Sequence, residues 1–304
     1  MPSFNQTITG LVTDGIRLDR YIAENLGLMS RSQIKARKLK GSINGKDVKL
    51  SRLVKNGDIV ELGWEEAQPL NIIPEDIPLD ILYEDGHAVV INKRQGMVVH
   101  PGAGNRHGTL ANALYYRILQ QNSIPNLTGP RPGIVHRLDK ETSGVMIAAY
   151  DEAALAFLAG QFKSRDAKKT YIALVSGIPK EKKGRIETFI ARDPRDRKRF
   201  TVTAQGRYAL TLYSVVKTWR QHSLILLRPK TGRTHQLRVH LRYLGHPIAG
   251  DPLYGFADTL FTQTSLMLHS RSLAITLPGE TEARFFKAPL PDRFAEAIRR
   301  LNSG

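Results

Sequence analysis

Arg131-Pro132-Gly133-Ile134-Val135-His136-Arg137-Leu138-Asp139-Lys140-Glu141-Thr142-Ser143-Gly144 is the stretch around which the fold is expected to form. It opens on a Pro-Gly turn signal and ends directly before the apolar run 145–149, which predicts a buried strand. Asp139 is therefore expected on a loop that leads into that strand, among basic neighbours. Such a carboxylate stays ionised and can act as a nucleophile or base, or it can simply pin a turn through an ion pair. Spacing alone leaves both interpretations open.

Composition narrows the class of protein. The chain has 304 residues, enough for two domains, and a formal net charge of +17, which predicts a polyanionic partner such as nucleic acid or an anionic membrane. No apolar run approaches the ~18 residues of a membrane span, and the N-terminal region lacks a signal-peptide core. Nucleic acid is therefore the favoured partner, with no membrane association. The absence of cysteine excludes disulfides and thiolate metal sites and fits a cytoplasmic location.

The N-terminal region predicts a small basic domain. Helical spacing of apolar residues at 18, 21, 22 and 26 predicts a helix that ends at Gly27, and Ser30 is a candidate N-cap for a second helix over 31–40. A short strand with a tight turn is expected at 42–46, and another strand at 58–62. A basic helix beside a small sheet suits RNA phosphates, whereas the alternative is a solvated cationic face. The candidate RNA-binding residues of this helix are Arg31, Lys35, Arg37, Lys38 and Lys40.

The remainder of the chain predicts a larger domain of mixed structure. Residues 65–78 carry three prolines and have a linker composition. Beyond them, strands are expected at 81–83, 88–91, 97–99, 169–176, 186–190, 208–216 and 223–228, with helices at 109–119, 154–162 and 237–244. Because helices and strands do not alternate regularly, the pattern predicts an α+β class with a mixed, largely antiparallel sheet.

Three sequence blocks carry a family resemblance. Residues 136–139 (His-Arg-Leu-Asp), followed by Thr142-Ser143-Gly144, resemble the active-site motif of RluA-type pseudouridine synthases. Residues 92–101 resemble the first motif of that family, and residues 231–240 with 245–251 resemble its last. The N-terminal region is similar to S4-like RNA-binding domains. The resemblance implies an S4-like domain at 3–64, a linker at 65–78 and a catalytic domain at 79–304, whose mixed central sheet carries a cleft on one face.

The resemblance also implies a reaction. Pseudouridine synthases break the N–C glycosidic bond of a uridine in RNA, turn the base and rejoin it through C5, without water or a cofactor in the net change. Asp139 matches the essential aspartate of the family. A carboxylate suits this chemistry because it can bond reversibly to carbon or stabilise cationic character at the sugar. Attack on the base and action at the ribose both stay open, although elimination to a glycal is the favoured route in the family.

Two further residues match catalytic positions of the family. Tyr171 would read from its strand alone as a core tyrosine, but the resemblance implies that it stacks on the target base and serves as a candidate general base. Arg238 is expected on a helix face turned toward the cleft, where a bidentate pair would keep Asp139 ionised. Arg137 resembles the family residue that holds out the flipped base.

Further basic residues are candidates for contacts with RNA. Arg233 and Thr234 are expected at the start of the last-motif helix, where backbone N–H groups favour phosphate. Arg192 and Arg195 lie in the basic segment 185–207, which is interpreted as an RNA-binding hairpin or loop. The alternative is a solvated segment that does not contact RNA. The histidines show no spacing typical of metal ligands, so no metal site is expected.

The sequence therefore favours an RNA pseudouridine synthase without a cofactor, monomeric, acting on structured RNA. Large-subunit ribosomal RNA is the favoured substrate because the domain order resembles the rRNA-modifying branch of the family. The alternatives are the same reaction on tRNA and a non-catalytic, ribosome-associated RNA binder or assembly factor. Glycoside or nucleoside hydrolysis would require a second carboxylate, for which only Glu141 is near Asp139 in sequence.

Overall fold

A computed structural model describes residues 3–11, 15–29, 34, 37–65, 72–102, 104–120, 133–256, 261 and 265–303. The chain divides into two compact units, Met1–Asn71 and Ile72–Gly304. The boundary lies within the proline-containing segment 65–78.

The N-terminal unit contains a four-stranded antiparallel sheet in the order β1-β6-β3-β4 and a separate β2–β5 pair. Leu18, Ile22, Val54 and Val60 are fully buried in its core. The turn between β3 and β4 is formed by Asn44-Gly45, both at positive φ, as a tight hairpin requires. The elements of this unit are β1 (Ser3–Thr7), β2 (Ile16–Arg17), α1 (Leu18–Arg20) continued by a π-helical turn (Tyr21–Asn25), β3 (Lys40–Ile43), β4 (Lys46–Val48), β5 (Leu53–Val54) and β6 (Ile59–Gly63).

The second predicted helix of this unit does not extend as far as the sequence suggests. Ile34 is helical, but Arg37 and Lys38 lie in a turn and Lys40 is the first residue of β3. Lys38 adopts a φ of 48°, which a helix cannot accommodate. The prediction of a helix over 37–40 is therefore wrong. Lys and Arg have good helix propensity, but propensity is a weak preference that tertiary contacts can override.

The C-terminal unit has the mixed composition of an α+β domain. Its strands are β7 (Ile81–Glu84), β8 (Ala88–Lys93), β9 (Ser143–Ala149), β10 (Lys168–Ser176), β11 (Lys183–Arg192), β12 (Phe200–Val202), β13 (Arg207–Thr218), β14 (His222–Pro229), β15 (Leu268–Thr276) and β16 (Ala283–Lys287). Its helices are α2 (Leu110–Gln120), α3 (Glu152–Ser164), α4 (Gln236–Tyr243) and α5 (Asp292–Ser303).

The ten strands form one sheet in the order β12-β11-β13-β14-β10-β15-β9-β8-β7, with β16 also pairing with β15. Among the described strands, β9 and β15 pair in parallel and the other pairs of this sheet are antiparallel. The predicted α+β class with a mixed, largely antiparallel sheet is confirmed. Every residue of β9 is buried, as the apolar run after the Asp139 stretch predicts.

One predicted strand is absent. Residues 97–99 have apolar character but lie outside any strand. The side chains of Met97 and Val99 are buried, and the carbonyls of Val98 and Val99 accept hydrogen bonds from the N–H groups of Leu110 and Ala111. The segment therefore satisfies the free donors at the start of α2 instead of joining the sheet. A short apolar run indicates burial without distinguishing a strand from a buried loop.

Candidate active site

Asp139 lies on the loop that leads into β9, as the sequence predicts. Two glycines of this stretch are required by close backbone approach. Gly133 has a φ of 69°, and a Cβ there would lie 2.3 Å from the carbonyl oxygen of Ala149. Gly144 has a φ of 114°, and a Cβ there would lie 2.1 Å from the carbonyl oxygen of Ser270. Only glycine allows both contacts, so these positions hold the loop against β9 and β15.

Residues of the first sequence block, 92–101, also hold the Asp139 loop in place. Lys93 is 1% exposed, and its Nζ donates to the carbonyls of Arg94, Met97 and Lys140 at 2.9, 2.9 and 3.2 Å. Burial lowers the pKa of Lys93 to about 8, although the carboxylates of Glu141 and Asp139 oppose this effect. Residues of β8 and the following turn therefore fix the backbone beside Asp139.

Two more hydrogen bonds complete this support. The side-chain amide of Gln95 donates to the carbonyl of Glu141 at 2.7 Å, and the N–H of Gly96 donates to the carbonyl of Lys140 at 2.9 Å. The loop itself is closed by a bond from the N–H of Thr142 to the carbonyl of Asp139, at 3.0 Å. The first and second motifs thus form one structural unit.

His136 has a structural role in the same stretch. Its Nε2 accepts a hydrogen bond from the N–H of Ile147 at 3.1 Å, and its ring stacks on Phe162 at 4.4 Å between centroids. Burial, together with the charge of Lys169, lowers the pKa of His136 to about 3. The imidazole is therefore neutral at physiological pH and acts as an acceptor.

Asp139, Tyr171 and Arg238 come together in one cavity of about 130 Å³. The loop supplies Asp139, β10 supplies Tyr171 and α4 supplies Arg238. The side chain of Asp139 is 24% exposed, whereas that of Arg238 is 5% exposed. The carboxylate therefore faces an accessible space whose opposite wall is a buried guanidinium.

The bidentate pair predicted between Arg238 and Asp139 is not formed. Nε and Nη2 of Arg238 each donate to Asp251 at 2.7 Å, while Nη1 lies 3.7 Å from Oδ2 of Asp139. The Asp251 side chain is fully buried and also accepts the N–H groups of Leu253 and Tyr254. Burial opposes the charge of Arg238, but the hydrogen bonds and charge of Asp251 outweigh it and raise the pKa of Arg238. Arg238 is thus held by Asp251 and offers its remaining edge to Asp139.

His235 and Tyr254 extend this wall. His235 precedes α4 with a φ of 55°, and α4 begins at Gln236, so Arg233 and Thr234 lie before the helix and not at its start as expected. Its Nε2 lies 3.9 Å from Oδ2 of Asp139, and its Nδ1 lies 2.9 Å from the hydroxyl of Tyr254. Burial lowers the pKa of His235 despite the opposing charge of Asp139, so the imidazole is neutral at physiological pH.

Tyr171 forms an apolar part of the cavity wall and is 7% exposed. Burial raises the pKa of its phenol; a hydrogen bond with Ser270 opposes the shift and the charge of Asp139 adds to it. The phenol therefore stays protonated at neutral pH, and any proton transfer at this position must involve the O–H group itself.

The other predicted RNA-binding residues fall into three groups. Arg137, Arg233 and Thr234 line the cavity. The backbone N–H of Arg233 donates to the side chain of Gln236 at 3.0 Å. It is therefore not available to bind a phosphate, contrary to the prediction. Arg192 and Arg195 lie at and beyond the end of β11, outside the cavity lining, in the hairpin that β11 forms with β12.

The third group belongs to the N-terminal unit. Arg37, Lys38 and Lys40 are placed there, and Lys38 forms an ion pair with Glu65 at 2.9 Å. Arg31 and Lys35 lie outside the described residues. Within the described part of the chain, no group of three or more His, Asp or Glu side chains is placed to hold a metal ion.

Four residues of the site were not predicted from the sequence to be functional: Lys93, His235, Asp251 and Tyr254. The first three lie inside the sequence blocks that carry the family resemblance, and Tyr254 follows the last block closely. A buried acid such as Asp251 needs a cationic partner, and the nearby helix with several basic residues was the available signal. The partner itself could be identified only from the fold.

The cavity of this α+β domain brings together a carboxylate, a guanidinium and a phenol, which are groups typical of an enzyme active site. Residues 87–243 match the family described as RNA pseudouridylate synthase. The chain belongs to this family of enzymes, which act on RNA and isomerise uridine to pseudouridine, and the RluA-type resemblance is confirmed. Among the described residues, no helix combines the length and apolar character needed to cross a membrane.

Relatives and solved structures agree with this assignment. The chain is 43% identical over 288 residues to ribosomal large subunit pseudouridine synthase D of Borreliella burgdorferi, covering 92% of this chain and 88% of the relative. It is 38% identical over 315 residues to the protein of the same name from Xanthomonas campestris, covering 98% and 93%. The structure of human RNA pseudouridylate synthase domain containing 4 is similar with a TM-score of 0.60 and 27% identity, covering 73% of this chain and 93% of that one.

Proposed function

We propose that this enzyme isomerises specific uridines of large-subunit ribosomal RNA, with Asp139 as the catalytic carboxylate. The substrate is inferred from relatives of that name that align with nearly the whole chain. The observation that carries the role of Asp139 is its position in the cavity, with an accessible carboxylate facing the buried guanidinium of Arg238 at 3.7 Å. The expected location is the cytoplasm, where ribosomal RNA is made in bacteria, and the expected state is a monomer.

The geometry supports a division of roles among the three central residues. Asp139 acts on the ribose or the base of the target uridine, because an ionised carboxylate can bond reversibly to carbon or stabilise positive charge at the sugar. Arg238, held by Asp251, places a positive charge 3.7 Å from Asp139 without forming the close pair that would block its attack. Tyr171 stacks on the base and offers its O–H for proton transfer.

The cavity also requires that the target nucleotide leave its stack. A flipped base costs a few kcal/mol of stacking free energy, which contacts in the pocket and in the vacated space must offset. Arg137 is exposed at the cavity and adjoins Asp139 through Leu138. We assign it to the vacated space beside the flipped uridine, where a guanidinium can stack on a neighbouring base.

The N-terminal unit is proposed to be an S4-like RNA-binding domain over 3–64, followed by a linker at 65–78 and the catalytic domain at 79–304. Its order of elements supports the proposal, as do Lys46, Lys49, Arg52 and Lys55, which line one groove of this unit. Lysine and arginine follow phosphates without reading bases, so the domain would supply affinity and placement but no chemistry.

Chemical mapping of pseudouridine tests the substrate. Ribosomal RNA and tRNA are compared between cells with and without this protein. Loss of pseudouridine at defined positions of large-subunit rRNA is expected, and the purified protein should restore it in vitro. Loss of pseudouridine confined to tRNA would mean that tRNA, and not rRNA, is the substrate. No change in either RNA, together with no turnover in vitro, would favour the non-catalytic RNA binder.

A charge-reversal variant tests the N-terminal unit. Arg31→Glu, Lys35→Glu and Lys40→Glu together should weaken RNA binding and reduce the salt dependence of log K by roughly 0.7 to 0.9 for each interaction with a phosphate that is removed. The single-turnover rate is measured against RNA concentration at two salt concentrations. Unchanged affinity and salt slope would contradict an RNA-docking role. Loss of turnover at normal affinity would instead mean that the unit helps to build the active site.

A further inference from the structure

A basic groove of about 750 Å³ opens beside the Asp139 cavity, and most of its basic residues lie outside the three sequence blocks. Eight of its 17 lining residues are Lys or Arg, and none is Asp or Glu. One wall carries Lys163, Arg165 and Lys168 at the end of α3 and the start of β10. The other carries Arg228 and Lys230 at the end of β14.

The groove is continuous with the cavity. Arg137, Lys169 and Arg233 line both, as do Thr231 and Gly232. A chain seated in the groove would therefore lead directly to the position beside Asp139. Because polyanions bind where many positive charges share a concave surface, this geometry fits an extended phosphodiester backbone.

The charges of the groove are not neutralised by neighbouring acids. Among the described residues, no carboxylate lies within ion-pair distance of Lys163, Arg228 or Lys230. The nearest acid in sequence, Asp166, accepts a hydrogen bond from the Ser164 hydroxyl at 2.5 Å and does not line the groove. Three of the cations are thus available for contact with an external anion.

The floor of the groove has a different character. Phe162 lies on it, stacked against His136, with Nζ of Lys169 at 5.5 Å from its ring centroid. Burial lowers the pKa of Lys169. An anion bound at this site would offset the cost of keeping the ammonium charged, since a nearby negative charge favours the protonated form.

We propose that this groove binds the sugar-phosphate backbone of the RNA strand that flanks the target uridine. The proposal rests on the proposed function, because it needs an RNA nucleotide at Asp139. The contacts would be to phosphates and independent of base sequence. The groove would thus hold the single strand in place while its neighbouring nucleotide occupies the cavity.

Neutralising the groove tests this proposal. The triple variant Lys163→Gln/Arg228→Gln/Lys230→Gln removes three charges from exposed positions of the groove. Binding of poly(U) RNA is measured at several salt concentrations. The salt slope should fall by about 2, at about 0.7 per single-strand contact, and affinity at 0.15 M salt should fall roughly 10- to 100-fold.

A matched control separates the groove from total charge. Lys180→Gln/Lys182→Gln/Lys183→Gln removes the same charge from exposed positions that line neither the groove nor the cavity. It should change the slope and affinity much less. Equal losses in both variants, or no loss in the groove variant, would overturn the proposal; thermal unfolding verifies that both are folded. Because poly(U) binding is measured without turnover, this result is separate from that of the mapping experiment.

An independent observation concerns His235. The hydroxyl of Tyr254 accepts the N–H of Phe200 at 2.7 Å and is 2.9 Å from Nδ1 of His235. Tyr254 is 3% exposed, so its O–H proton needs an acceptor, and Nδ1 is the acceptor that the described structure provides. The proton of neutral His235 then resides on Nε2, the nitrogen that faces Asp139.

The geometry points to His235 as a hydrogen-bond donor to an oxygen of the target nucleotide beside Asp139. At 3.9 Å its Nε2 is too far from Oδ2 of Asp139 for a hydrogen bond, which leaves the N–H for a ligand in the cavity. Such a donor would orient the nucleotide or stabilise charge that develops on it during the reaction.

Two substitutions test this role with the same backbone requirement. Asn tolerates the left-handed φ of this position, and His235→Asn can still accept from Tyr254 but has no donor at the Nε2 position. We expect a single-turnover rate about 10- to 100-fold lower at unchanged RNA affinity. His235→Gln, whose amide nitrogen reaches the Nε2 position, should recover part of this loss. A wild-type rate for the Asn variant, or equal loss in both variants, would contradict the proposal.

Discussion

The Asp139 cavity and the basic groove beside it hold their positive charge in different ways. In the cavity, Arg238 is 5% exposed, bonded at two points to the fully buried Asp251 and covered by the ring of Tyr254 at 5.1 Å. In the groove, Lys163, Arg228 and Lys230 are exposed, without a carboxylate partner in the described structure.

This difference corresponds to two physical tasks. A charge that must stabilise the reacting group has to be fixed beforehand in a partly dry site, because reorientation during the reaction would cost free energy. Charges that hold a flexible polyanion benefit from mobility and from released counterions, so they can remain solvated. Disturbing the buried wall should therefore affect the rate, whereas disturbing the groove should affect affinity.

The largest effect is expected from Asp139→Asn. The change keeps the shape and removes the charge, so pseudouridine formation should fall by roughly 10⁴-fold or more, as for the loss of other central catalytic groups. RNA affinity should change little, because the basic surfaces are intact. Single-turnover assays and equilibrium binding check both parts. Turnover by the pure variant at a rate close to that of the wild type would rule out the assignment of Asp139.

A second large effect is expected from Asp251→Leu. Arg238 would lose its buried partner, which typically costs about 3–5 kcal/mol of stability, and it would be free to pair closely with Asp139. Both the stability and the rate of pseudouridine formation should fall. Denaturant unfolding and single-turnover kinetics measure the two losses.

The double variant Asp251→Leu/Arg238→Met provides the control. It replaces the buried pair by apolar groups of similar size, so stability should recover substantially. Activity should not recover, because Asp139 would lack its cationic neighbour. Recovery of both would mean that the pair serves only the fold.

The next effect separates two tasks of Tyr171. Tyr171→Phe keeps the stacking ring and removes the O–H, whereas Tyr171→Leu removes both. If the O–H moves a proton, as we expect, the Phe variant should lose roughly 100-fold in rate and the Leu variant more. Single-turnover kinetics at saturating RNA measure both. A Phe variant as fast as wild type would show that Tyr171 only stacks.

The smallest effect concerns the buried Lys93. Its folded-state pKa of about 8 lies below the usual 10.5, so the unfolded chain binds more protons between these values. Its contribution to stability therefore rises with pH from about 8 to 10.5, by up to about 3 kcal/mol. In Lys93→Met this rise should disappear, and loosening of the Asp139 loop should lower the rate modestly. Denaturant unfolding across this pH range measures the first effect; an unchanged pH profile would contradict it.

Some features of this protein could be predicted from its sequence, and others could not. The position of Asp139 before a buried strand and the α+β class follow from local patterns of turn residues and apolar residues. The strand predicted at 97–99 and the helical assignment of Arg37 and Lys38 were wrong. In both cases a short pattern was compatible with two structures, and contacts with distant residues selected one.

The sequence by itself determined the type of site, because the motif around Asp139 and the two other blocks contain the residues that the chemistry needs. Only the tertiary structure decided which side chains pair with each other. Arg238 forms its bidentate pair with Asp251 and not with Asp139, the Tyr254 hydroxyl lies beside Nδ1 of His235, and Lys93 binds the carbonyl of a residue 47 positions away. The physical reason is that hydrogen bonds and ion pairs depend on distances of a few ångströms, which sequence spacing does not specify across strands brought together by folding.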